Sequence, residues 1–163
     1  MIDAEILYSQ LKSVVVTTRQ QLIAARTRMA AGEYSYAEFN NNVSDVNASI
    51  LITQEALAAL NGADGEEFRL WLNARLLGVS KTLSAWQTDF TAMVNGFKAF
   101  NTTIDNSITS IESASGYIQG EQWALNADGT GKFTPRVFSA AATSGLRGDI
   151  DDIITAVANV IVG

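Results

Sequence analysis

From Phe39 to Leu60 an apolar or small residue returns in alternating steps of four and three: Phe39, Val43, Val46, Ile50, Thr53, Leu57 and Leu60, without a slip. That spacing fits the turn of an α-helix and lays one stripe along one side of the cylinder. A stripe of this kind packs on another helix, so the chain has to supply partners for it. The upstream stretch from about Asp3 to Ala31 provides the first, with Leu7, Leu11, Val14, Leu22 and Met29 at helical spacing and Thr18 and Ala25 between them. Gly32 ends that helix. Ser35-Tyr36-Ala37-Glu38 then has the form of a capping box, in which serine and glutamate satisfy the first free amides of the next helix. Asn61-Gly62 supplies residues tolerant of a left-handed helix end, and Asp64-Gly65-Glu66-Glu67 reads as the following N-cap. So short a turn makes the second and third helices antiparallel neighbours.

The third helical region is long. Its stripe runs through Phe68, Leu72, Leu76, Val79, Leu83, Trp86, Phe90, Met93, Phe97, Ile104, Ile108 and Ile111, from about Gly65 to Ile118, with no proline inside. Straight, it would reach roughly 80 Å against ~40 Å for either preceding helix, so it has to break or protrude. Gly96 and Asn101-Thr102-Thr103 are the expected break, because glycine and threonine are poor helix formers. Four comparable helices would follow, enough for an up-down-up-down bundle. Leu70, Trp71 and Leu77 lie off the main stripe and need a second surface to cover them.

Beyond Ile118 the helical period stops and Gly116, Gly120, Gly129 and Gly131 cluster. Trp123-Ala124-Leu125 and Lys132-Phe133-Thr134 flank an Asp128-Gly129 turn, which reads as a β-hairpin limited by Pro135. Trp123, Phe133 and Phe138 are large apolar groups that a two-stranded hairpin cannot bury by itself. They therefore join Leu70, Trp71 and Leu77 as the candidate interface, with packing on the chain's own bundle as the alternative. Leu146, Ile150, Ile153, Val157 and Val160 close the chain at helical spacing, although the β-branched run from Ile153 to Val162 also suits a buried strand. The expected fold is mainly α in a single domain, 1–163. It comprises an antiparallel helical bundle (1–118), one small β-hairpin or arm (119–143) and a C-terminal helix (144–163).

Composition then narrows function. There is no cysteine and no histidine, which removes thiolate chemistry, the usual zinc ligands, the usual general base and any Ser-His-Asp arrangement. Eleven basic against seventeen acidic residues give a net charge of −6, which repels a phosphate backbone unless the basic groups gather on one face. Lys12, Arg19 and Arg26 recur every seven residues, the spacing of a solvated flank beside an apolar seam. The N-terminus carries Asp3 and Glu5 where a signal peptide carries base, and Ile153–Val162 is too short to span a bilayer. A protein made and kept in the cytoplasm, without a membrane partner or sequence-specific nucleic-acid binding, is expected.

Short motifs give no active site. Asn126 to Phe133 fails the phosphate loop at its first glycine and its last hydroxyl, and the calcium-loop reading fails at Ala124 and Pro135. Asp149, Asp151 and Asp152 read as charge complementing the start of the last helix. The three Asn-x-Ser/Thr sequons fall inside helical patterns. No catalytic, cofactor-binding or metal-ligating residue is nominated, no cofactor is implied, and the chain is not expected to be an enzyme.

Long helices rich in Asn, Ser and Thr, the absent cysteine and histidine, a Gly-rich hairpin and a terminal amphipathic segment together resemble small structural proteins of tailed-bacteriophage virions. Head-to-tail adaptor or neck components are the particular likeness. It is a likeness of style across the whole chain, so no functional residue carries over. The resemblance implies a structural subunit of a larger homo-oligomeric complex, made in a host cytoplasm and incorporated into a virion, with self and other assembly subunits as partners. The alternative is a helical binding module or chaperone that clasps an amphipathic segment of a partner protein.

Overall fold

The computed structural model describes residues 3–115, 121–125, 131–135, 138, 140 and 143–160, and from 107 to 137 the backbone alone. Five helices appear: α1 (Ala4–Ala30), α2 (Tyr36–Asn61), α3 (Gly65–Arg75), α4 (Leu83–Ser115) and α5 (Ser144–Val160). Helices dominate, and the fold is mainly α.

The starts of α1, α2 and α4 have a local chemical cause. Asp3 accepts the Ile6 amide at 3.1 Å and caps α1. In the capping box, Ser35 Oγ accepts the Glu38 amide at 3.2 Å and donates to the Glu38 carboxylate at 3.1 Å. Thr82 Oγ1 accepts the Ala85 amide at 3.1 Å where α4 begins. Asp64 stands at the head of α3 but makes no side-chain cap bond, and Gly62 is extended rather than left-handed.

Four long helices form a ring in which α2 and α4, α4 and α5, α5 and α1, and α1 and α2 are packed neighbours. Cross-helix bonds give the directions. Asn101 donates to Asn47 at 2.6 Å, while the start of α4 reaches the end of α2 through Gln87 Nε2 and the Leu60 carbonyl at 3.0 Å. Thr103 donates to Asp149, and Arg26 meets Asp151 at 2.8 Å. All four contacts are antiparallel. The short α3 closes one end of the bundle, where Phe68 and Leu72 are buried and Trp71 meets Tyr8 of α1 edge-on at 5.4 Å.

The long third region breaks at residues 76–82 and not at Gly96. Gly78 takes the left-handed φ of +86° that ends the turn after α3, and Thr82 caps the next helix. Gly96 lies inside an unbroken α4 because a Cβ there would stand 3.2 Å from Ile153 Cγ1 of α5. Its missing side chain lets two helices approach. The fourth member of the bundle is consequently α5, with α3 as a cap.

The seams also shift. On α2 the fully buried line is Phe39, Asn42, Val46, Ser49, Thr53, Ala56 and Leu60, whereas Val43, Ile50 and Leu57 are half-buried on its flank. Two neighbours, α1 and α4, hold α2, and small groups occupy the closest approach. On α1, Tyr8 and Val15 are buried where Leu7 and Val14 are only half-buried.

Residues Glu121–Leu125 (β1) and Gly131–Pro135 (β2) pair antiparallel, with Trp123 opposite Phe133. The Asp-Gly turn expected between them lies outside the described residues. Phe138 does not belong to an exposed arm. It is 2% exposed, stacked on Phe39 at 5.2 Å and 5.9 Å from Tyr34, and its amide donates to the Tyr34 carbonyl at 2.9 Å. With Thr143, whose hydroxyl reaches the Met29 carbonyl at 3.4 Å, it brings the chain back to the α1–α2 turn before α5 starts.

Candidate functional site

Two surface regions stand out from a generic bundle exterior. The first is the end closed by α3. Leu70 is 56% exposed and Leu77 is 89% exposed, and Ile6 in the first turns of α1 is 56% exposed at the same end. These positions differ from Trp71, which the chain covers itself: its ring contacts Tyr8 and lies 6.4 Å from Phe68. The turn that presents Leu77 is held firmly. Asn73 Nδ2 and Arg69 Nη1 both donate to the Lys81 carbonyl, at 2.7 and 3.1 Å. Lys81 Nζ lies 2.6 Å from Asp89, sits 4.6 Å over the Trp86 ring and donates to the Asn159 carbonyl at the end of α5. Trp86 Nε1 completes the knot by donating to Asn73 Oδ1 at 2.9 Å. A cation on the C-terminal carbonyls of α5 also suits that helix's dipole. Leu77 is thus displayed on a fixed scaffold.

The second region is the outer side of the α1–α2 pair, where two shallow clefts share Gln21 and Asp45. The larger, about 400 Å³, is lined by Arg28, Glu38, Asn41 and Ser44 among others. The smaller, about 290 Å³, runs on toward Ser13 and Thr17. In the larger cleft Arg28 and Glu38 are already paired. Arg28 Nε lies 2.6 Å from Glu38, and that hydrogen bond and charge hold the guanidinium above its ordinary pKa. A cleft this open, with its cation committed, does not assemble an acid, a base and a nucleophile around one point.

Beneath the clefts the helices meet through polar groups. Thr18 and Ser49 hydroxyls are 2.6 Å apart and buried, and Tyr34 donates to Asn42 Oδ1. Burial pushes the Tyr34 phenol well above its ordinary pKa, with the Glu38 charge adding to the shift.

Of the six expected interface residues, Leu70 and Leu77 are exposed together at the α3 end, Trp71 is half-covered there, and Phe138 is core. Trp123 and Phe133 oppose each other across the strand pair, and their side chains lie outside the described residues. Ile6 and Leu51, 66% exposed on α2, escaped the sequence reading because each looks like an ordinary helical apolar residue. The acidic trio is not an α5 start. The helix begins at Ser144 and its first turn carries no acid; Asp149 takes the Thr103 hydroxyl and Asp151 takes Arg26. Among the described residues no three acidic side chains gather as metal ligands, and no helix is long and apolar enough to cross a membrane. Comparison with protein-family models, curated proteins and solved structures finds no match to this chain.

Proposed function

We propose that the chain is a structural subunit of a larger homo-oligomeric protein assembly, of the style found at the neck or head-to-tail junction of tailed-bacteriophage virions. The observation that carries this reading is the α3 end. Leu77, 89% exposed on a turn held by Asn73, Arg69 and Lys81, and Leu70, 56% exposed on α3, display apolar groups to water. The strand pair follows α4 in the chain and is an element unlike α3, a second candidate for contact with a neighbour. Unlike surfaces make heterologous contacts, which close into rings or run on as fibres. The subunit so described binds protein, with no catalytic role and no cofactor, and its place is the host cytoplasm and then the virion.

Light scattering on the purified chain tests it. Self-association that the double substitution Leu70→Ser, Leu77→Ser lowers at least tenfold, with the helical circular dichroism kept, is the expected outcome. Both positions are exposed, so stability should move by only about 0.5 kcal/mol each. A wild-type chain that stays monomeric at high concentration ends this reading and favours the alternative, a helical module that clasps an amphipathic segment of another protein.

A further inference from the structure

The buried polar side chains of the bundle are unevenly distributed. Thr18, Asn42, Ser49 and Thr53 belong to α1 and α2, while among the described residues α4 and α5 contribute none. A buried hydroxyl separated from its partner normally costs the full desolvation of the orphaned group. Here that cost is already avoided. Ser49 Oγ donates to the Asp45 carbonyl of its own helix at 3.0 Å, and Thr53 Oγ1 donates to the Ser49 carbonyl at 2.9 Å. The 2.6 Å contact between the Thr18 and Ser49 hydroxyls crosses the seam, and either group can donate in it. Parting α1 from α2 breaks this bond and the half-exposed Arg28–Glu38 pair, and water can replace both at once. Water is also close, since the two clefts follow the outside of the same seam from Ser13 to Arg28.

The α4–α5 contact has the opposite chemistry. Ile153 enters the space left by Gly96, and Ile150, Val157 and Val160 are buried along α5. Thr103 donates to Asp149 at one end of that contact, and beyond it the packed groups are apolar and gain nothing from hydration.

We infer that the α1–α2 seam is the line along which the bundle opens in its native state, while α4 and α5 remain packed. The open form exposes Val15, Leu22 and Val46, apolar groups now 0–1% exposed.

The absence of cysteine makes this measurable with single reporters. Ser49→Cys and Thr18→Cys place a thiol on either side of the seam, and Val157→Cys places one in the α4–α5 contact. Each variant is labelled with a thiol reagent in native buffer and in rising urea, and each rate is compared with that variant's own global unfolding rate. Labelling at 49 and 18 should exceed the global rate by more than about tenfold and depend weakly on urea, as a local opening does. Labelling at 157 should follow global unfolding. If all three thiols react at the global unfolding rate with the same urea dependence, the seam does not open independently and the inference fails. Two seam reporters guard against one variant folding poorly.

Discussion

The α4–α5 side and the α1–α2 side of the bundle solve the same packing problem with different materials. Trp86, Phe90, Met93, Phe97, Phe100 and Ile104 of α4 are buried to the last ring, and the opposing helix is aliphatic. Across the ring, α1 and α2 meet through Thr18, Ser49, Asn42 and the Tyr34 phenol. Fully burying an aromatic or large aliphatic side chain stabilises by about 1.5–3 kcal/mol, whereas a satisfied hydroxyl pair contributes about 1 kcal/mol. Both sides bury apolar groups, Val15, Leu22 and Val46 among them on α1 and α2, but the aromatic burial is concentrated on α4, and the α1–α2 side adds directional contacts that fix register.

The largest expected effect breaks the aromatic side. Phe97→Ala should cost about 3–5 kcal/mol in urea denaturation, since Phe97 is wholly buried and α4 is pinned between two neighbours that cannot collapse into the hole. A loss near 1 kcal/mol would mean that the two sides carry stability equally. Next in size is the notch at Gly96. Leucine there should cost about 1–3 kcal/mol by forcing Ile153 aside, while alanine should be near neutral, because the crowding at 3.2 Å is offset by about 1 kcal/mol of helix propensity. A stabilising Gly96→Leu would show that the two helices have slack.

The smallest effect sharpens the polar side. Tyr34→Phe should cost about 1 kcal/mol at neutral pH, the bond to Asn42, whose amide can turn toward the cleft it lines. Its clearer signature is in pH. The folded phenol titrates above the unfolded value near 10, so its contribution is fully present below pH 10 and is lost as pH rises from there toward the folded pKa. Urea midpoints from pH 8 to 11 should fall more steeply in the wild type than in Tyr34→Phe. Parallel curves would show that Tyr34 ionises freely in the folded chain.

Signals written in local chemistry were legible in the sequence: the capping box at Ser35 and Glu38, the stop at Gly32, and the stripe from Leu83 through Phe97. The break after α3 was hidden because Leu76 is buried and Val79 packs against the core, so the apolar period continues straight through the turn. Gly78 followed by a cap-competent Thr82 was the available clue. On α2 the expected Phe39, Val46, Thr53 and Leu60 are buried, while Asn42, Ser49 and Ala56 replace Val43, Ile50 and Leu57 because hydropathy ranks Ile50 over Ser49 although closest approach favours the smaller group. Phe138 is the clearest failure. It sits in a Gly-rich stretch with no period, and only the tertiary pocket between Tyr34 and Phe39 reveals it as core. The interface candidates fared unevenly for the same reason: exposure of Leu70 follows from its phase on α3, whereas that of Leu77 depends on the turn after α3 and the cover over Trp71 on the approach of α1.

Phe138 has one further consequence. Its amide and ring are fastened to the α1–α2 turn, so the two ends of the intervening chain, α4 and Phe138, are both held by the bundle, and α5 is positioned from Phe138 onward. Lengthening a segment whose ends are already held costs only about 0.6 kcal/mol of closure entropy per doubling. Residues inserted between Ser115 and Phe138 should therefore change the stability of the helices very little.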